Sequence, residues 1–461
     1  MSEKQKVTVG EEGIYDAKQL GIPKMLLLGF QHMFAMFGAT VLVPLLTGLD
    51  VATTLLMAGL GTLFFHLITK GKVPAFLGSS FAFLGGYAAV APVVDGVPNK
   101  ELLPYACLGV AAAGLVYLVL ALLIKVVGVS KVMRFFPPVV TGPIIISIGL
   151  GLSGSAVNNC ATNWPLALIA LAIVIVFNIW GKGMLKIVPI LLGVVGSYLV
   201  AIVVGNLCGV EAWAIDFTAV KEAAWIGLPI HKEATILGVN WAKASLIISS
   251  IVGIVPIALA TMMEHIGDIS AIGATVGKNF IKEPGLHRTL IGDGVATTLA
   301  SLFGGPANTT YGENTGVLAL SRVYDPKVIR IAAVIAAVLS FSPKFSALIS
   351  SIPTAVIGGI SFVLYGMISA IGVRNVVESK VDFTKSRNLI VAAIILVCAL
   401  GLGSAATFQI GGVTIALSAL AVGSIAGILL NAILPGKDYV FTEDEPKDTG
   451  VNFEITGGNK E

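Results

Sequence analysis

The stretch NTTYGENTG, residues 308–316, lies between apolar runs and carries an acid, Glu313, near its centre. Gly, Asn and Thr favour loops, Gly through its backbone freedom and the others through local hydrogen bonds to the main chain. The chain on either side reads as membrane. A carboxylate in so breakable a segment needs a reason, and working outward from it decides the fold.

Of the 461 residues, 56% are hydrophobic and 12% are charged. Soluble proteins carry about twice that share of charge. With a mean hydropathy of +0.92, the chain reads as a polytopic membrane protein and not as a soluble enzyme or a nucleic-acid-binding domain. The net charge of +3 says little about partners, because placement matters more than the sum. The polar start, residues 1–24, lacks an apolar core followed by a small-residue cleavage site, so no removable signal peptide is expected. Cys107, Cys160, Cys208 and Cys398 show no CxxC spacing and are read as unpaired structural residues.

Roughly fourteen apolar segments are expected, near 25–48, 51–69, 76–94, 103–124, 137–157, 163–180, 184–208, 243–274, 287–304, 306–321, 327–350, 353–373, 387–406 and 411–434. The fold class is thus an all-α membrane protein, with a disordered polar tail after about residue 436 and one sizeable loop at 210–242. Basic residues support the count. Loops on one side hold 17, among them Lys125, Lys131, Arg134, Arg322 and Lys380, against 5 on the other, such as Lys221 and Lys344. By the positive-inside bias, both termini are cytoplasmic and loop 210–242 is extracytoplasmic.

Fourteen spans divide into two sevens, and an odd-numbered repeat must insert inverted. The third segment contains AFLGSSFAFLGG (75–86) and the tenth GGPANTTYGENTG (304–316). Paired breaks at equivalent positions point to a midplane binding site. Non-helical backbone there must be satisfied by protein or by a watery cavity, and two breaks can meet as short strands. The helices that follow would aim free N–H groups at the cavity. Phe81 and Gly312 would supply backbone, and Glu313 and Asn314 side chains. For AFLGSSFAF alone, close helix packing is an equal alternative.

Other ionisable residues inside spans are His32, His66, Glu264, His265, Asp268 and Asp293. Each must face a cavity or a partner. His66 reads as interfacial or packing; His32 reads equally as functional or structural. Glu264 and Asp268 are spaced i, i+4 on one helical face. Two such acids repel unless one is protonated, which is how a proton carrier is made. Asp293 is read as capping nearby backbone, with membership of the acid cluster as the alternative. A metal site in EHIGD lacks recognised ligand spacing, so no metal is expected.

The runs QHMFAMFGATVLVPLLTG (31–48), KVPAFLGSSFAF (72–83), EHIGDI (264–269), GLHRTLIGDG (285–294) and PANTTYGENTGVLALSR (306–322) together resemble the nucleobase–ascorbate transporter family. The resemblance runs from about residue 21 to 435. It implies two inverted seven-span repeats arranged as a core domain (25–134 and 243–350) and a gate domain (135–209 and 351–435). It also implies proton-coupled uptake of a nucleobase, uracil first and xanthine or another purine base as the alternative. Homodimerisation through gate domains in a bacterial cytoplasmic membrane follows, with the proton as coupling ion and no cofactor. An anion transporter of the same fold is disfavoured by buried Glu264 and Glu313.

Carried over by position, Glu264 and Glu313 resemble the substrate-binding carboxylates, Phe81 and Gly312 the backbone contacts, and Tyr311 a neighbour of the pocket. Glu264, Asp268, His32 and Glu313 are the proton-coupling candidates. The signature matches at Glu313, Asn314, Gly316 and Arg322, with Ser321 where the family has Thr. Some relatives carry histidine where this chain has Asp268. The xanthine branch often carries Gln at the position of Glu313.

Overall fold

Pro23, in the first turn of helix Ile22–Thr47 (α1), has a fixed φ that suits a position whose N–H would be unbonded anyway. The helix stops at Gly48, at φ +81, where a Cβ would collide with Pro98. Asp50 then caps Val51–Ile68 (α2) by accepting the Thr53 N–H at 2.6 Å. The computed structural model describes residues 13–94, 97–402, 406–410 and 413–437, with Val9, Tyr439 and Phe441.

The third expected segment is strand Leu77–Ser79 (β1) followed by helix Leu84–Val90 (α3). Then come Leu103–Val127 (α4), Pro138–Ala161 (α5), Trp164–Trp180 (α6) and Pro189–Ala201 (α7). Ala244–Ile254 (α8) runs through a 3-10 turn into Ala258–Val276 (α9), followed by Leu286–Leu302 (α10). The tenth segment is strand Asn308–Thr310 (β2) and helix Gly312–Ser321 (α11). Pro326–Leu339 (α12) and Pro343–Ser350 (α13) meet at a 90° bend. Thr354–Glu378 (α14), Ser386–Gly401 (α15) and Ala419–Ile433 (α16) complete the helices.

Among the described residues, seven helices are long and apolar enough to cross a membrane, or eight if the bent pair counts as one span. This is a mostly helical, multi-pass membrane protein. One expectation changes. The boundary between the last two segments is an antiparallel hairpin, Ala406–Ile410 with Val413–Leu417, and the last helix starts only at Ala419. Thr407, Ile410, Val413, Thr414 and Ile415 are β-branched residues around a Gly-Gly pair, a hairpin pattern that apolarity alone hides. The N-terminal tail also docks in part. Ile14 bridges to Val323, and the Ala17 N–H donates to Asp325 Oδ2 at 2.9 Å. Lys327 reaches Asp16 at 3.1 Å and holds that carboxyl below its usual range. The disordered tail expected after residue 436 lies almost wholly outside the described residues.

The helices pack in two groups. In one, α10 packs on α4 and α2, α12 on α2 and α1, and α8 on α4; in the other, α14 packs on α5 and α6, α15 on α5 and α16, and α6 on α7. Lipid tails are as apolar as leucine, so contact within each group relies on small residues and short hydrogen bonds. Gly142, Gly149 and Gly372 leave no room for a Cβ between α5 and α14, and Ser369 Oγ donates to Ile146 O at 3.0 Å. Gly114 and Gly294 do the same between α4 and α10, where Thr298 Oγ1 donates to Ala111 O at 3.1 Å. Segment 209–242 folds back over the structure, with Thr53 Oγ1 donating to Pro229 O at 2.6 Å and the Gly227 N–H to Phe341 O at 2.9 Å.

Candidate functional site

Strands β1 and β2 pair antiparallel, Leu77 opposite Thr310, Gly78 opposite Thr309 and Ser79 opposite Asn308. The ladder is extended by Tyr311 N–H to Phe76 O at 3.0 Å and Ser80 N–H to Ala307 O at 2.9 Å. Each break thus satisfies main-chain groups of the other, as non-helical backbone at membrane depth requires. Side chains of the surrounding helices take up more. Thr62 Oγ1 accepts the Leu77 N–H at 2.9 Å, and Thr297 Oγ1 donates to Asn308 O at 2.7 Å. Asn308 Nδ2 donates to Met57 O at 3.0 Å, and Ser79 Oγ to Thr40 O at 2.8 Å. The crossing is densely hydrogen-bonded.

Beyond β2 the chain passes Tyr311, still extended, and enters α11 at Gly312 with no side chain capping the first turn. The early N–H groups of that helix have no carbonyl partner within the helix itself. Glu313 follows in the same turn. Glu264 and Asp268 stand one turn apart on α9, and Asp268 Oδ2 accepts the Thr310 hydroxyl at 2.9 Å. Phe81, just past β1, faces Tyr365 of α14 edge-on, with ring centroids 6.2 Å apart. Tyr311 donates its hydroxyl to Ser79 O at 2.8 Å, which holds its ring over β1.

These residues line one cavity: Phe81, Glu264, Asp268, Tyr311, Gly312 and Glu313, with Ser79, Thr309 and Thr310. Its opposite wall is Leu364, Met367, Ile368 and Ile371, one apolar face of α14. The polar wall comes from the first helix group and the apolar wall from the second. Three carboxyl groups share the space and, among the described residues, no basic side chain lines it. Such a place suits a planar, neutral molecule rich in N–H donors, with a proton to relieve the repulsion among the acids.

Two sequence candidates stand behind the cavity. Asn314 donates from Nδ2 to His32 O at 3.0 Å and lies 3.2 Å from His32 Nδ1. One residue along a helix turns the side chain by about 100°, so Asn314 braces α11 against α1 while Glu313 lines the cavity. His32 is fully buried in that brace. His66 packs its Nε2 on Ala75 O at 2.9 Å, just before β1. Asp293 departs from the capping role expected of it: its carboxylate is 2.9 Å from His265 Nδ1, both side chains fully buried. The sequence reading missed Ser79, Thr309 and Thr310, and the α14 wall. Their i, i+3, i+4, i+7 spacing was visible, but any apolar transmembrane helix contains such a face.

Residues 23–410 match the model of the family described as the permease family. A uracil permease of Bacillus caldolyticus is 45% identical over 428 residues, 89% of this chain and 92% of that protein. One from Bacillus subtilis is 43% identical over 438 residues, 92% and 94%. Among solved structures, the transmembrane domain of a cyanobacterial bicarbonate transporter, BicA, is similar with a TM-score of 0.61 at 18% identity, covering 90% of this chain and 99% of that one. SLC26A9 is similar with a TM-score of 0.64 at 13% identity, covering 91% and 66%. At such identities the structural likeness speaks for the fold alone.

Proposed function

Because this chain belongs to the permease family, the nucleobase–ascorbate transporters, and is a transporter and not an enzyme, we propose that it carries uracil and a proton together across the bacterial cytoplasmic membrane. The observation that carries the reading is the cavity's composition: Glu264 and Glu313 share its lining with Phe81, Tyr311 and one apolar face of α14. Uracil offers ring N–H donors and two carbonyl acceptors. Glu264 and Glu313 accept the N–H groups, and the N–H at Gly312 and the backbone at Phe81 serve the carbonyls. Tyr311 and Phe81 flank the ring. Glu313 itself disfavours a purine reading, since the xanthine branch often has Gln there.

Coupling follows from charge. Repulsion among three acids favours a bound proton, and a neutral base entering with a proton lowers the negative charge that must cross. The first helix group then moves as the core (25–134, 243–350) past the second as the gate (135–209, 351–435), opening the site to each side in turn. The packing partners support an inverted repeat. Exchanging each of the fourteen segments with its counterpart seven along turns the α10–α4 contact into α2–α12 and the α8–α4 contact into α1–α12. In the second group it likewise turns α14–α6 into α5–α15 and α6–α7 into α15–α16. In this reading all fourteen segments count as spans, both termini are cytoplasmic, and two copies pair through their gates.

The test is uptake of labelled uracil by the purified protein in liposomes with an imposed pH gradient. Accumulation should collapse when the gradient is removed. Uptake insensitive to the gradient would defeat the coupling, and preference for xanthine would defeat the substrate assignment.

A further inference from the structure

On the far side of α9 from the substrate cavity lies a groove of about 420 Å³ whose walls are almost purely apolar. Val119 and Leu123 of α4, Met262 of α9 and Ile428 of α16 line it, and Phe135 of the 128–137 connection roofs it. It therefore sits where the two helix groups meet, beside the segment that joins them. Asn431 of α16 pins that connection by donating to Arg134 O at 3.3 Å and Phe135 O at 3.2 Å.

The groove opens onto the bilayer. Val119, Leu123 and Phe135 are 57%, 47% and 46% exposed, which in a membrane-spanning chain means exposed to lipid. Its chemistry changes at one end. Lys131 belongs to the lining itself, and Lys125 and Arg134 stand beside it in sequence. Among the described residues none of these three enters an ion pair. A long apolar slot ending in a basic cluster matches one kind of molecule in a membrane: an acyl chain carrying an acidic headgroup.

We propose that this groove is a binding site for an acidic phospholipid, with one acyl chain between α4, α9 and α16 and its phosphate over Lys131 and Arg134. The chain fills a space that the two helix groups leave open at their contact. The headgroup sits on the segment connecting them. The positive-inside reading places that headgroup in the cytoplasmic leaflet.

The experiment follows the thermal unfolding midpoint of the purified full-length protein in detergent. Dioleoyl-phosphatidylglycerol, dioleoyl-phosphatidylcholine or inorganic phosphate is titrated in. The phosphatidylglycerol should raise the midpoint saturably, and the other two should not. Removing both charges with Lys131→Gln and Arg134→Gln should raise the lipid concentration needed about 10- to 30-fold. Leu123→Trp, a change at a half-exposed position, should block the slot and remove the response while leaving the lipid-free midpoint near the parent's. Equal stabilisation by the zwitterionic lipid would reduce the groove to ordinary annular contact and overturn the proposal. A phosphate response equal to the lipid's would overturn the acyl-chain part, and an unchanged response in the double charge variant would overturn the headgroup part.

Discussion

The two broken segments share a backbone device and differ in what they carry. β1 leads through Phe81 into the seven-residue α3, and residues 77–90 hold no ionisable side chain except Tyr87. β2 leads through Tyr311 straight into the ten-residue α11, with Glu313 in its first turn. The first break supplies shape. Gly78 has no Cβ, and the Tyr311 ring occupies the space beside it; Phe81 forms an aromatic wall. The second supplies charge and the first-turn N–H groups of a helix. The two breaks share one hydrogen-bonded crossing, but the charged chemistry lies on one side of it.

The charged break should be the most sensitive. Glu313→Gln keeps the volume but turns half of the acceptor into a donor. Losing a charge-assisted hydrogen bond costs about 1.5–3 kcal/mol, roughly 10- to 150-fold in affinity. Equilibrium binding of labelled uracil to the purified variant checks this, and parental affinity would remove Glu313 from the contact set. Glu264→Ala should act as strongly.

The neutral break should fail through shape. A Cβ at Gly78 would lie 2.5 Å from Tyr311 Cε2 and 2.7 Å from Thr40 Oγ1. Gly78→Ala should therefore push the Tyr311 ring off its hydrogen bond to Ser79. Overpacking of this kind costs about 1–3 kcal/mol, read as a lower unfolding midpoint together with weaker uracil binding. Gly85, in α3, has open space around its missing Cβ, so Gly85→Ala is the matched control and should leave the crossing intact. Phe81→Leu keeps an apolar wall without the ring and should weaken binding about 2- to 13-fold, the range for an aromatic contact of about 0.5–1.5 kcal/mol.

What the sequence made legible follows the same division. A carboxylate inside an apolar segment is costly, so Glu264, Asp268 and Glu313 stood out against their surroundings. The crossing was legible because Gly, Ser, Thr and Asn clustered twice at equivalent places. The α14 wall was not, since Leu364, Met367, Ile368 and Ile371 look the same whether they face ligand or lipid. Asn314 was legible as a site side chain and His32 as a proton-coupling candidate, but not as partners of each other, since 282 positions separate them in the chain. The pairing of His265 with Asp293 was hidden likewise: it joins α9 to α10, and nothing local marks it.

Asp268 offers the sharpest separation of binding from coupling. It lines the same cavity as Glu264 and Glu313, yet its carboxylate is already engaged by the Thr310 hydroxyl at 2.9 Å. Asn at this position keeps an oxygen for that hydroxyl, so Asp268→Asn can preserve the tie between α9 and β2 while it removes the charge and turns the other oxygen into an N–H donor. Uracil affinity should stay within about twofold of the parent, a change of about 0.4 kcal/mol. Glu264 and Asp268 lie on one helical face, so deleting one acid should change how the remaining one holds its proton. Accumulation driven by a pH gradient should therefore weaken, while counterflow exchange of labelled for unlabelled uracil, which needs no net proton movement, should persist. Comparing the two rates in the same liposomes removes differences in protein content. Full gradient-driven accumulation by Asp268→Asn would take this residue out of the proton path. Coupling would then fall to the other candidates, Glu264 and Glu313 in the cavity lining and His32, to which Asn314 of α11 donates.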